Sequence, residues 1–332
     1  MLRLPWFDYR APRSLAEAAR ILAGEGPAAM PIAGGTDLLP NMKRRHQTPK
    51  VLVSLGRIEE LRRSNGSFGA ALTLAEVARS ERAPAALRQA AAQVATPHLR
   101  NMGTLGGNLC LDTRCTYYNQ TYEWRKAIGF CLKKDGQTCW VATASKRCVA
   151  VSSSDTAPAL IALNASVRLV SASGERELPV EALYRNDGID YLARRPDEIL
   201  AEVKVPQGWR SAYWKLRRRG AFDFPVLGVA VAVRFDGDVV REARIALGAV
   251  ASRPFLVEKA GELLVGQRLT DEAIRQAAER VANRAKPMDN TDMDLYWRKE
   301  VADDFAAYAL REVRGDDMRE TRQRINRFTV ER

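Results

Sequence analysis

Four of the chain's five cysteines, Cys115, Cys131, Cys139 and Cys148, lie in one segment between Thr104-Leu105-Gly106-Gly107-Asn108 and Ser152-Ser153-Ser154-Asp155. No other feature constrains the fold as strongly. The two flanks read as parts of a single cofactor pocket, and the 46 residues that separate Asn108 from Asp155 read as an insertion between them. Such an insertion must leave the pocket and return without pulling its walls apart. Thiolates gathered on one loop suit an iron–sulfur cluster or a zinc ion.

The intervals between the four cysteines are 15, 7 and 8 residues. Zinc sites commonly carry CxxC pairs, because two ligands on one tight turn preset the tetrahedron. Ferredoxin-like clusters carry CxxCxxC. Neither pattern occurs, so spacing alone selects no metal, and four buried unligated thiols remain an alternative. Against that alternative stand Arg114, Arg125, Lys126, Lys133, Lys134, Lys146 and Arg147, which leave the segment little apolar material to bury thiols in. Cys110, in the strand-like Asn108-Leu109-Cys110-Leu111, reads as a small packed hydrophobe. An odd cysteine count and an opening MLRLPWFDYRAP without an apolar signal stretch argue against a disulfide framework. A cytoplasmic protein with thiols free to bind metal is expected.

At 332 residues and 46% hydrophobic, the chain is long enough for two or three domains, and it has no 18-residue apolar run to cross a membrane. Its net charge of +12 raises nucleic acid as a partner. The charge distribution argues otherwise: Lys and Arg are interleaved with Asp and Glu, and only Lys43-Arg44-Arg45 and the run from Lys215 to Arg219 are dense. Basic surface for an acidic subunit or an anionic cofactor is the simpler reading.

The elements follow from caps and periodicity. Ser14-Leu15-Ala16-Glu17 and Thr73-Leu74-Ala75-Glu76 are capping boxes. The first opens a helix with Leu15, Ala18, Ala19 and Leu22 on one face, stopped by Gly24 and Gly26, and strands at 30–33 and 51–55 complete a small α/β unit. A helix is expected over 85–95, another from Ser154 or Asp155 to Leu163, and strands over 166–171 and 199–205. Beyond them, apolar strands at 226–235 and 239–250 are joined by Asp236-Gly237-Asp238, with helices at 254–265, at 271–285 and from about Asp292. A charged tail closes the chain.

Several residues carry chemistry-bearing potential beside a plainer role. Ala33-Gly34-Gly35-Thr36-Asp37 follows a strand, where glycines admit close approach of an anion to backbone N–H groups; an ordinary turn reads equally well. A second such loop, 103–108, favours a dinucleotide held between two small domains. Asp155 is either a helix N-cap or a carboxylate accepting from flavin ribityl hydroxyls. Lys215 is either a surface charge or a cation beside the flavin ring. His46 and His98 are too few for most metal sites, although His98 precedes the glycine loop.

In order along the chain, AGGTDLLP (33–40), HLRNMGTLGGN (98–108), SSDTAPALIAL (153–163) and WKLRRRGAFDFPV (214–226) resemble the FAD-binding medium subunits of the xanthine oxidase family of molybdenum hydroxylases. The resemblance covers nearly the whole chain. It implies an α+β protein: a two-subdomain FAD-binding domain of the vanillyl-alcohol-oxidase type at 1–214 (subdomains about 1–60 and 61–214), and a C-terminal α+β domain of the CO-dehydrogenase flavoprotein type at 215–320. The charged tail would be 321–332. In ordinary members the GGN and SD motifs lie close together. The cysteine-bearing insertion, about 110–150, is instead similar to that of the 4-hydroxybenzoyl-CoA reductase β subunits, which hold a [4Fe–4S] cluster.

By that resemblance Cys115, Cys131, Cys139 and Cys148 are cluster ligands and Cys110 is not. Pro31, Ile32, Ala33, Gly34, Gly35, Thr36, Asp37 and Leu38, with Thr104, Leu105, Gly106, Gly107 and Asn108, would hold the FAD pyrophosphate and adenosine side. Asp155 would bind the ribityl chain, Leu200 would pack on the isoalloxazine and Lys215 would lie at its edge. The chain would contain no catalytic residue of its own. The resemblance implies an electron-transfer subunit that takes electrons from ferredoxin through [4Fe–4S] and FAD. They would continue to a small subunit with two [2Fe–2S] centres and a large molybdopterin subunit, in a dimer of heterotrimers. The expected reaction is reductive dehydroxylation of 4-hydroxybenzoyl-CoA to benzoyl-CoA in anaerobic aromatic degradation. Two alternatives stand beside it: a medium subunit passing electrons to NAD or quinone, and a zinc-stapled binding module.

Overall fold

Three sheets and the helices between them make up the computed structural model, which describes residues 3–63, 66–220 and 222–328. Ser14 Oγ accepts from Glu17 N at 3.2 Å and starts the helix Leu15–Glu25. Glu17 turns its carboxylate to Arg13 N, 2.9 Å away, instead of closing the expected box on Ser14. The helix passes through Gly24 and stops at Gly26, whose φ of 55° an L side chain resists. Its buried face packs on a parallel sheet ordered Asp8–Arg10, Val51–Ser54, Ala29–Ile32. Asp8–Arg10 is an added edge strand, exposed throughout, with no apolar alternation to announce it.

The second sheet is antiparallel, in the order Phe68–Gly69, Ile199–Lys204, Ser166–Ser171, Gly174–Pro179. Gly174–Pro179 is another unanticipated strand, polar and mostly exposed. Here the box at Thr73 and Glu76 closes in both directions and opens Leu74–Arg79. The expected long helix is the shorter Ala85–Ala92. Thr156–Ala162 is buried at every residue and lies against the strands of the third sheet, so it joins the two halves of the molecule.

The third sheet is a meander of Arg210–Leu216, Leu227–Asp236, Val239–Gly248 and Phe255–Leu256. Gly237, at φ 57°, makes the expected hairpin turn. The helix expected at 254–265 is reduced to Glu258–Glu262, because Phe255 and Leu256 pair with the sheet edge instead. The helix expected from Asp292 is two, Leu295–Glu300 and Ala302–Arg314, which meet at Val301. The tail read as a charged extension is helical over Arg319–Phe328, with Arg322 placed 4.0 Å above the Trp214 ring and paired with Glu312. Residues 329–332 of that tail, and Ala221 of the 214–226 motif, lie outside the described residues. Among the described residues no helix is long and apolar enough to cross a membrane.

Arg298 holds the C-terminal domain together from inside. It is wholly buried and donates to three carbonyls, Val226 O at 3.0 Å, Met288 O at 2.9 Å and Ala249 O at 2.7 Å. Replacing it with Met would strand two buried acceptors and a half-buried third, a loss of about 3 kcal/mol. Chemical denaturation of Arg298→Met should show that loss as a lowered midpoint.

Candidate functional site

The strand Ala29–Ile32 runs into the first glycine loop, and the loop packs directly on the second. A Cβ placed on Gly34 would lie 1.9 Å from the Met102 carbonyl oxygen, so no side chain fits there. Gly35 sits at φ 68°. In the second loop Thr104 Oγ1 accepts from Gly107 N at 3.0 Å and turns Leu105–Leu109 into a short helix ending at Cys110. The strand-like reading of 108–111 is therefore corrected: the threonine cap wins over the apolar pattern. The backbone also lies close at Gly106, whose added Cβ would be 2.7 Å from Ala70 Cβ.

These loops wall a cleft of about 480 Å³, within the usual size range of a small-molecule site. Every residue expected at the cofactor lines it except Leu105, which is wholly buried in the main core, and Lys215. The Lys215 ammonium lies behind Asp155, donating to Asp155 Oδ2 at 3.1 Å and to Gln93 O at 2.9 Å. Tyr213 Oη donates to the other carboxylate oxygen at 2.8 Å. Burial pushes the Asp155 carboxyl up and the Lys215 ammonium down, while their mutual attraction opposes both. Asp155 makes no capping hydrogen bond; Ser154 Oγ takes that role, accepting from Ala157 N at 3.1 Å.

Arg114, Ser153, Tyr191, Phe222 and Phe224 also line the cleft. Ser153 belongs to the 153–163 motif, the two phenylalanines lie inside the 214–226 match and Arg114 directly precedes Cys115, but none of the five was assigned a role from the sequence. Ser153 Oγ and Arg114 Nε are buried and have no hydrogen-bond partner within the chain. Close-approach backbone, a fixed carboxylate and two unpaired polar atoms fit a flavin nucleotide. His98 is exposed and is not among the lining residues. A second groove, about 710 Å³ and open, is lined by opposed charges such as Arg63, Arg168, Glu60 and Glu202 and holds none of the motif residues.

The cysteine segment closes at its base through backbone pairing of Arg114 with Val151, at 2.8 and 2.7 Å. All four cysteines are buried, with Cys115 and Cys148 packed against Tyr118 and Ala150. Cys115 is felt electrostatically by Cys148 and Cys131, and Cys148 by Cys139 and Cys131. Burial pushes the Cys115 thiol up to about 12 and Cys148 to about 11. Without a bound cation these thiols stay protonated at neutral pH. No group of three or more His, Cys, Asp or Glu side chains among the described residues is arranged to hold a metal ion. A tetrahedral zinc site needs thiolates within about 4 Å of one another.

Within the segment and against it lie buried polar groups. Lys133 Nζ donates to Asp112 at 2.8 Å, Thr113 Oγ1 at 2.7 Å and Gly188 O at 2.6 Å. Tyr118 Oη donates to the other Asp112 oxygen at 2.8 Å. His46 stacks on Tyr118 with ring centroids 4.0 Å apart, and both its ring nitrogens are buried without partners.

Residues 5–208 match the family described as the FAD binding domain in molybdopterin dehydrogenase, and residues 211–313 match the CO dehydrogenase flavoprotein C-terminal domain. The chain belongs to the FAD-binding medium subunits of the molybdenum hydroxylase family, which are electron-transfer subunits of oxidoreductases. It is 30% identical to the carbon monoxide dehydrogenase medium chain of Hydrogenophaga pseudoflava, over 92% of this chain and 96% of that one. It is 32% identical to the aldehyde oxidoreductase FAD-binding subunit PaoB of Escherichia coli K12, over 76% and 84%. A crystal structure of the Cu,Mo-CO dehydrogenase superposes with a TM-score of 0.76 at 27% identity, covering 94% of this chain and 99% of that one. The expected fold of FAD-binding domain plus CO-dehydrogenase flavoprotein domain is borne out. The zinc-stapled binding module is displaced by the family assignment.

Two expectations follow. Gly34→Ala should cost about 2 kcal/mol or more through its clash with Met102, and flavin absorbance per chain should fall with the melting temperature. Burial, reinforced by Arg125 and Arg44 and opposed by Asp112, lowers His46 from 6.5 to about 4. The folded chain therefore keeps His46 neutral where the unfolded chain protonates it. Stability should fall as pH drops from about 6.5 to about 4. His46→Phe, which keeps the ring stacking, should flatten that part of the melting-temperature profile.

Proposed function

We propose that this chain is the electron-relay subunit of a 4-hydroxybenzoyl-CoA reductase-like molybdenum enzyme. FAD occupies the cleft, and a [4Fe–4S] cluster is held by Cys115, Cys131, Cys139 and Cys148. The observation that carries the reading is the placement of four buried cysteines on one loop whose base lines the cleft. When bound, the two groups supply electron storage between a ferredoxin and the partner subunits, and the cluster can lie at the reducing end of its potential range. The partners are a large molybdopterin subunit and a small subunit with two [2Fe–2S] centres, assembled as a dimer of heterotrimers in the cytoplasm. In the complex, 4-hydroxybenzoyl-CoA takes up two electrons and two protons. Its phenolic C–O bond breaks, releasing benzoyl-CoA and water.

The chain's own residues do the positioning. The loops at 33–38 and 103–108 present backbone to the pyrophosphate, Asp155 accepts from the ribityl hydroxyls, and Leu200 packs on the ring. Lys215 acts through Asp155 by holding its carboxylate in place. The domain division follows the same reading, with the FAD-binding part up to about residue 214 and the C-terminal part to about 320.

A second reading keeps the flavin and changes the direction of flow. In it the chain serves a hydroxylase that passes electrons out to NAD or quinone; similar proteins are named for carbon monoxide and aldehyde substrates. Mixing the purified complex anaerobically with reduced ferredoxin and, separately, with NADH distinguishes the two by which reagent bleaches the flavin.

The anaerobic visible spectrum should show flavin bands on a broad sulfur-to-iron shoulder. Analysis should find about four iron atoms and as many sulfides per chain. Cys131→Ser should lose most of that iron and the ferredoxin-dependent rate while retaining flavin. A chain whose only chromophore is flavin, or a Cys131→Ser variant with full iron, would overturn the cluster assignment.

A further inference from the structure

Arg114 lines the cleft and stands at the base of the cysteine loop, directly before Cys115. It is 5% exposed, although half-buried Arg44 and Arg194 also reach the cleft lining. Its guanidinium pairs with Asp37 of the first glycine loop and donates to Asn41 Oδ1 at 3.0 Å. The guanidinium carbon lies 4.9 Å from the centroid of the Phe224 ring, another wall of the cleft. Its backbone N–H and C=O pair with Val151 and close the base of the insertion, and the next residue is Cys115. One of its donors, Nε–H, is left buried and unpaired. A charged donor in that state is costly unless a ligand accepts from it.

We propose that Arg114 is a positioning residue shared by the two redox sites, donating its unpaired Nε–H to the flavin and clamping the first glycine loop to the base of the cysteine segment. The flavin part rests on family membership. The coupling to the cysteines rests on the function proposed above. Burial lowers the Arg114 guanidinium to about 10, so it stays charged at neutral pH. A fixed positive charge at the cleft wall favours reduced, anionic flavin over the neutral oxidised form. Asp37 partly neutralises that charge. Lys215, expected to do this from the ring edge, has its charge balanced by Asp155 behind the wall.

The test uses the purified complex with Arg114→Gln, Arg114→Lys and Asp37→Asn, read by flavin fluorescence titration, spectroelectrochemistry at the flavin band and iron analysis. Arg114→Gln should weaken flavin binding about tenfold or more and move the flavin midpoint to more negative potential. Iron should be retained, since the bridge to Val151 is backbone. Arg114→Lys should weaken binding with a smaller shift. Asp37→Asn, which leaves Arg114 less neutralised, should move the midpoint in the opposite direction. Packing damage alone has no reason to give opposite signs. Unchanged midpoints in Arg114→Gln and Asp37→Asn, or shifts of the same sign, overturn the proposal. If Arg114→Gln does not assemble, Arg114→Lys and Asp37→Asn decide by the same criteria. About four rather than about eight iron atoms per heterotrimer of the unmutated complex, the number the two [2Fe–2S] centres alone supply, would instead sink the cluster reading and leave the flavin measurements standing.

Discussion

The side-chain oxygen of Asn108 accepts three hydrogen bonds, from Ser154 Oγ at 2.8 Å, Thr156 N at 3.1 Å and Thr156 Oγ1 at 2.7 Å. Through that one buried acceptor, two motifs separated by 46 residues become adjacent walls of a single cleft. The rest of the site depends on this contact, because it fixes where the insertion departs and where it returns. A little further out, Arg114 and Val151 pair and narrow the opening again. Once the ends are held together, the entropy of closing a loop grows only slowly with its length. An insertion of some forty residues can then be carried without disturbing the walls of the cleft.

The interior of the insertion resolves a difficulty posed by its composition. Its many basic residues suggest that there is little material in which to bury thiols, yet all four cysteines are buried. Part of the charge goes inward with them. Lys133 is neutralised by Asp112, and the wholly buried Arg125 donates to Arg44 O at 2.9 Å and faces the rings of Tyr122 and Phe130. Tyr117, Tyr118 and Val141 supply the apolar cover. The C-terminal domain completes the seat: Asn290 accepts from Thr116 N through its carbonyl and donates its side-chain amide to Val149 O. The segment is thus braced by both domains.

Much of the fold was legible because it rests on short-range physics. Ser14 and Thr73 cap their helices, Gly26 and Gly237 take left-handed turns, and the apolar runs of the third sheet became strands near their expected places. What escaped was set by distant partners. Asp8–Arg10 and Gly174–Pro179 are strands because a neighbouring edge offers hydrogen bonds, and neither carries an apolar alternation. Phe255–Leu256 left its helical pattern for the same reason. In the site, the glycines were readable, but their reason was only half so. Gly34 is required by Met102 as much as by any ligand. Arg114 was hidden among the other basic residues of the segment because nothing local marks it as the one that reaches the cleft.

The sequence by itself determined the order of the motifs, the glycines that leave the backbone open to close approach, and the presence of four thiols on one loop between two glycine- and serine-rich motifs. Those are properties of neighbouring residues, and caps, glycines and spacing express them directly. Only the tertiary structure decided that Asp155 and Lys215 are partners, that Leu105 belongs to the core, and that Arg114 stands between cleft and cysteines. Each of these depends on which buried charges and donors find counterparts across folded elements. A linear pattern carries no record of that pairing.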